Sequence, residues 1–192
     1  MDVIVDKKPA WVQQLNLKNM TDKNFVKILY FFLFHTPCIN LSAQGKSLYD
    51  YGWKSPWKKP YYLNRQLKEV TSNQKLIFSA KSYDLMEDVL EKAELKDVFP
   101  PEIPKEKICI YNNEDNQIMS SFYHIRNSLA HGRFAIIKYK KDIIYFFEDV
   151  QANKKNNTCK VSARIVMKQQ TLLKWIEIIE KGEKEYSTIK KA

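Results

Sequence analysis

The sequence predicts a mainly α fold: a helical bundle with a small antiparallel β element, of about three strands, before the last helix. Three observations carry this. Apolar residues recur at helical spacing in segments near 24–35, 113–131 and 171–180. A glycine, Gly132, closes the middle segment, and short runs rich in Ile, Val and Phe follow it. No composition shift marks a boundary, so 1–192 reads as a single domain, the default for 192 residues.

The first helix starts at Thr21 or Asp22, either of which can cap it, and stops before Pro37. Its residues Phe25 to His35 are apolar nearly all round, which predicts a central position. Residues 49–62 mix Trp53, Trp57, Tyr61 and Tyr62 with Lys54, Lys58, Lys59 and prolines, and read as a structured loop. Helical stretches follow at Leu63–Val70 and Tyr83–Glu94, with Ser82 as a cap for the second. Pro100, Pro101 and Pro104 enforce a loop. From Asn113 to His131, Ile118, Phe122, Ile125 and Leu129 form one buried stripe. Arg133–Lys138 and Ile143–Glu148 pair as a hairpin around Lys140-Lys141-Asp142, and Lys160–Met167 supplies a third strand. The last helix, Thr171–Glu180, buries Leu172, Leu173, Ile176 and Ile179 beside Trp175. The charged tail after Gly182 is expected to fray.

Apolar residues make up 44% of the chain and aromatics 13%, which excludes a disordered protein. The net charge of +10 favours a polyanionic partner, nucleic acid first, although a solvated lysine-rich surface gives the same number. Arginine is scarce: only Arg65, Arg126, Arg133 and Arg164 occur. Its rigid fork of donors fits phosphate where lysine offers a point charge. Cys38, Cys109 and Cys159 are dispersed and odd in number, which suits a reducing cytosol. With no signal-peptide pattern and no apolar run of membrane-spanning length, a cytoplasmic protein without membrane contact is expected. There is no Gly-rich phosphate loop, no Gly-x-Ser-x-Gly elbow, no zinc spacing and no two-metal arrangement of acids, so neither metal nor cofactor is expected.

The chemistry-bearing stretch is Ser121-Phe-Tyr-His-Ile-Arg-Asn-Ser-Leu-Ala-His-Gly-Arg133. Arg126 can neutralise a phosphate, His131 can move a proton near neutral pH, and Asn127 shares a helix face with His131 at i, i+4. The partial negative charge of a helix carboxyl end favours an imidazolium there. Arg126 and His131 differ by roughly 140° around the axis, too wide for one tight contact through one rigid face. A turn at the helix end, or a second copy across a twofold axis, would reconcile them. Arg133 is the preferred auxiliary phosphate ligand. His124, one heptad before His131, reads as a surface histidine and a candidate RNA contact. Lys138, Lys140 and Lys141 can grip backbone at the hairpin tip or form a solvated turn. His35 reads as a satisfied, partly buried histidine. The Trp53–Tyr62 segment either stacks RNA bases or folds back on the core. A bland reading remains for the stretch itself: His131 caps helix carbonyls and Arg126 pairs with an acid such as Glu148.

The segment Arg126-Asn-Ser-Leu-Ala-His131 resembles the Arg-x4–6-His signature of the HEPN superfamily, with its polar residue just after the Arg. The resemblance implies a HEPN-like helical bundle, here with a β insertion that departs from the plain bundle. It implies a metal-independent endoribonuclease of toxin–antitoxin or antiphage defence type, with Arg126, Asn127 and His131 catalytic. It also implies a homodimer whose two motifs face one cleft at the subunit interface, and an antitoxin or nucleotidyltransferase as a further partner. Family members that have lost catalysis supply the alternative: a module that binds RNA or a partner protein and dimerises. Sequence-tolerant DNA binding is a weaker third reading, with no helix-turn-helix pattern behind it.

Overall fold

A computed structural model describes residues 2–4, 22–38, 41, 43–54, 62–71, 76–97, 105–112, 116–153 and 158–189. The proline loop at Pro100, Pro101 and Pro104, the aromatics Trp57 and Tyr61, Lys58 and Lys59, and most of the polar loop after Asn153 lie outside these residues.

The elements run β1 (Asp2–Ile4), α1 (Lys23–Tyr30), α2 (Tyr62–Glu69), β2 (Ile77–Ala80), α3 (Met86–Lys92), β3 (Lys107–Tyr111), α4 (Gln117–Ala130), β4 (Phe134–Tyr139), β5 (Asp142–Asn153), β6 (Thr158–Lys168) and α5 (Gln169–Ile189). A π-helical turn, Phe31–His35, continues α1. Asp22 caps α1 by accepting the Asn24 amide at 3.1 Å.

The fold is mixed α/β, which corrects the expectation of a mainly helical bundle with three strands. The three expected strands are present as β4, β5 and β6, and the hairpin turns at Lys140-Lys141 as read from the sequence. The sheet then continues beyond them, in the order β2-β3-β6-β5-β4, with β1 on the β3 side of β6 at Thr158–Lys160. The β2–β3 pair is parallel and the other pairs are antiparallel. The physical reason for the miss is burial. Residues 107–110 of β3 are buried without interruption, so the run carries no two-residue alternation for a sequence reading to detect. Strand β2 has four residues, too few for a period to show.

Both faces of the sheet are covered. On one, α1, α4 and α5 pack over Ile108, Ile110, Phe134, Ile136, Tyr145, Phe147, Ala163, Ile165 and Met167. Phe122 of α4 sits at the centre of this layer, 5.5 Å from the rings of both Phe32 and Trp175. On the other face, Met86 and Leu90 of α3, with Leu95, cover Cys109, Ala135, Ile144, Phe146 and Val166. Alternation along β5 therefore sends Tyr145 and Phe147 to one layer and Ile144 and Phe146 to the other.

Burial corrects one further expectation, for α1, and decides between the two readings of Trp53 in favour of the core. Helix α1 is not enclosed all round: Phe25, Ile28, Phe31 and Phe32 are buried, while Val26, Tyr30 and Phe34 are 55%, 54% and 41% exposed. Trp53, part of the presumed loop, is fully buried, and its indole donates to the Ile179 carbonyl at 3.0 Å. It packs as core and offers no surface for a base. The last helix extends past Gly182, where φ of 69° breaks its regular geometry.

Candidate active site at the end of α4

Asn116 caps the start of α4, its side chain accepting the Met119 amide at 2.8 Å. One side of the helix carries the apolar stripe Ile118, Phe122, Ile125 and Leu129. Beside it runs a buried polar stripe, Ser120, Ser121, His124 and Ser128. Ser121 and Ser128 return their hydroxyls to the carbonyls one turn back, at 2.7 and 2.8 Å, so these small polar residues are satisfied within the core. Met119, Tyr123, Arg126, Asn127 and Ala130 form the remaining, outward arc.

The helix ends in a Schellman motif. The Gly132 amide donates to the Leu129 carbonyl at 3.2 Å and the Arg133 amide to the Ser128 carbonyl at 2.8 Å. Gly132 sits at φ of 66°, in the left-handed region, as its place in the sequence predicts. His131 is the C-cap residue, with its amide bonded to the Asn127 carbonyl, and it is exposed. The reversal leaves the imidazole at the tip of the helix and sends the chain directly into β4. Nothing lies within 4 Å of a Cβ built on Gly132. Gly132→Ala is thus expected to cost only the backbone penalty, about 1–2 kcal/mol, read as a shift in the urea midpoint at constant slope. A shift smaller than a few tenths of a kcal/mol would show that the helix end adopts another closure.

Arg126 and Asn127 are half-buried neighbours, and Arg126 Nη1 donates to Asn127 Oδ1 at 3.1 Å. Asn127 thereby orients the guanidinium. Arg126 Nε is buried and has no hydrogen-bond partner. The other three arginines are all matched to carboxylates: Arg65 to Glu69, and both Arg133 and Arg164 to Glu148. Arg126 has no such partner among the described residues. Glu148, the acid suggested for it, is committed elsewhere.

The remaining candidates are placed apart from this group. Arg133 shares the α3 face of the sheet with Ala135, opposite the face that α4 covers, and its Nη2 bonds Glu148 Oε1. Glu148 is buried, and its Oε2 accepts Arg164 Nε at 3.0 Å. Arg164 also donates from Nη1 to the Leu95 carbonyl at 2.9 Å and to the Lys96 carbonyl, which fastens the end of α3 to the sheet. Burial pulls the Arg164 guanidinium below its ordinary value, and Glu148 opposes the pull. A guanidinium already shared with a buried carboxylate is a poor extra phosphate ligand, so the structure withdraws Arg133 from that role.

His124 is corrected from surface to core, at 1% exposure. Its Nε2 donates to the Tyr111 carbonyl at 2.7 Å, and its Nδ1 is hydrogen-bonded to Asp149 Oδ2 at 2.7 Å. A carbonyl can only accept, which fixes the proton on Nε2. Asp149 was not singled out in the sequence. Two adjacent acids inside an otherwise apolar strand, Glu148-Asp149, were the available signal. Lys138, Lys140 and Lys141 are exposed at the hairpin tip, roughly 20 Å along β4 from the end of α4. Among the described residues, no three His, Cys, Asp or Glu side chains gather as metal ligands.

The HEPN pEK499 p136 family matches residues 55–186, more than half of the chain, from before α2 to near the end of α5. The chain belongs to this HEPN family. The match includes the whole of α4 and every strand from β2 to β6, so the mixed sheet falls inside the HEPN region. Helix α1 lies outside it, although its buried face contributes to the same core layer. No curated protein and no solved structure matches the chain. HEPN membership points to a nuclease, RNA-related or regulatory role, and no helix among the described residues is long and apolar enough to cross a membrane.

Proposed function

We propose that this chain is a metal-independent endoribonuclease whose site is built on Arg126, Asn127 and His131. The observation that carries the reading is Arg126: a half-buried guanidinium with no carboxylate partner, an unsatisfied Nε and an Asn127 that orients it. A buried donor without an acceptor is costly, and a phosphoryl oxygen would satisfy it. His131 is exposed at the helix tip, within reach of substrate.

In the proposed reaction His131 removes the proton of a ribose 2′-hydroxyl. The oxygen attacks the adjacent phosphorus, the bond to the 5′ oxygen breaks, and that oxygen leaves with a proton. The products carry a 2′,3′-cyclic phosphate and a 5′-hydroxyl. Arg126 balances the charge that grows on the phosphoryl oxygens. Within one chain Arg126 and His131 remain roughly 140° apart on α4, so a homodimer that presents the α4 ends to one cleft completes the site. Growth arrest or antiphage defence in the cytoplasm, with an antitoxin or nucleotidyltransferase as partner, is the biological setting this reading carries.

The test is incubation of the protein with total RNA in excess EDTA, beside Arg126→Ala/His131→Ala, with end-group analysis. Wild type is expected to leave cyclic-phosphate ends, and the variant to lose at least about 100- to 10,000-fold in rate, the usual worth of a positioned general base. An all-deoxy strand cut at a similar rate would refute the mechanism. RNA bound but left intact would favour the non-enzymatic HEPN module.

A further inference from the structure

Strands β2 and β3 form the parallel pair, with Ala80 opposite Tyr111 at their carboxyl ends. The chain leaves these ends toward opposite faces of the sheet. After β2 it passes through the turn Tyr83–Leu85 into α3 on one face; after β3 it enters α4 on the other. Neighbouring parallel strands whose helices cover opposite faces leave a crevice at their carboxyl ends, where open α/β sheets commonly hold ligands.

Three tyrosines furnish this crevice. The rings of Tyr83 and Tyr111 stack at 4.2 Å between centroids, 26° from parallel. Tyr123 of α4 meets the ring of His124 edge-on at 5.2 Å, His124 is bonded to the Tyr111 carbonyl, and Tyr123 lies close enough to bear electrostatically on the Tyr83 phenol. All three tyrosines are half-buried. None of their hydroxyls has a hydrogen-bond partner among the described residues, whereas those of Tyr51 and Tyr145 do. Burial, with Tyr111, Asp149 and Tyr123 nearby, pushes the Tyr83 phenol up to about 12, so it remains a neutral donor. Exposed Lys81 leaves β2 at the same end.

We propose that this crevice is a subsite for an unpaired nucleobase of single-stranded RNA, which stacks against the Tyr83–Tyr111 pair and meets the Tyr123 hydroxyl. Aromatic faces accept any base, and a nearby lysine holds the backbone. Tyr123 lies one turn before Asn127 and two turns, about 12 Å, before His131 on the same helix, so one strand spans both places. The proposal rests on the RNA-cleavage reading for its ligand and extends it to a second contact.

The test measures binding of a short, labelled, uncleavable 2′-O-methyl RNA to the full chain, with an abasic strand of equal length as the second probe. Tyr83→Leu is expected to weaken binding of the intact strand about 5- to 150-fold, the worth of one base stack, and Tyr123→Leu about 2- to 12-fold, the worth of one hydrogen bond. Tyr83→Phe is expected to bind like wild type, and the abasic strand to bind wild type at least as weakly as the intact strand binds Tyr83→Leu. Equal binding of intact and abasic strands by wild type overturns the subsite, even where a leucine variant fails to fold. Absence of any RNA binding overturns it too. Cleavage of unmodified RNA in EDTA, scored separately, isolates the other reading: cleavage without base dependence sinks the subsite alone, and base-dependent binding without cleavage sinks the ribonuclease alone.

Discussion

Glu148→Ala is expected to remove about 3–5 kcal/mol of stability, a large part of the roughly 5–15 kcal/mol that holds a domain of this kind together. Glu148 is 1% exposed and answers two guanidinium groups, Arg133 and Arg164. Its loss removes the buried carboxylate that both cations share on the α3 face, where Arg164 keeps its bonds to the Leu95 and Lys96 carbonyls. The counterintuitive companion is the triple change Arg133→Met/Glu148→Leu/Arg164→Met. It removes every charge of the cluster and is expected to destabilise less than Glu148→Ala, because no buried charge is stranded. Urea denaturation of the three proteins decides. A Glu148→Ala loss below about 1 kcal/mol would mean that water reaches the cluster and the pairing is weak.

His124→Ala is expected to cost a similar amount, about 3–5 kcal/mol, for a different reason. It strands the Asp149 carboxylate and the Tyr111 carbonyl between α4 and the sheet. His124 is also the link that fixes the rotation of α4 over β3 and β5, about half a turn to two turns before the proposed catalytic residues. RNA cleavage is therefore expected to fall in the fraction of protein that is still folded. Asp149→Asn keeps an oxygen for the Val150 amide, which Asp149 Oδ1 now accepts at 3.0 Å, and should be milder than His124→Ala. Equal stability of His124→Ala and wild type would remove the His124 link from the account.

Legibility in the sequence followed local chemistry. The Asp22 cap, the Gly132 helix end and the β4–β5 hairpin were readable because each depends on residues a few positions apart. Strand β3 was not, since burial on both faces erases alternation, nor was β2, which is too short to show a period. The nature of the sheet followed those two strands. At the site, Arg126, Asn127 and His131 stand where a helix reading puts them. Whether a neighbouring polar residue faces water or core was beyond that reading. His124 lies on the polar side of the helix wheel, yet the sheet carries an acid to meet it. Arg133 sits two residues past His131, yet strand alternation turns it to the opposite face.

That alternation has a consequence for how the chain finds its fold. Glu148 and Asp149 are consecutive, so β5 sends one carboxylate to each face: the first to the arginine pair, the second to His124. A β4–β5 hairpin that zips one residue out of step inverts both. It delivers the shorter acid to two guanidinium groups and the longer one to a histidine, while Tyr145 and Phe147 trade layers with Ile144 and Phe146. Each error is costly alone, and they arrive together. The adjacent acids thus act as a proofreading device for the hairpin, and rejection of the slipped pairing is written into two residues in the middle of the sheet.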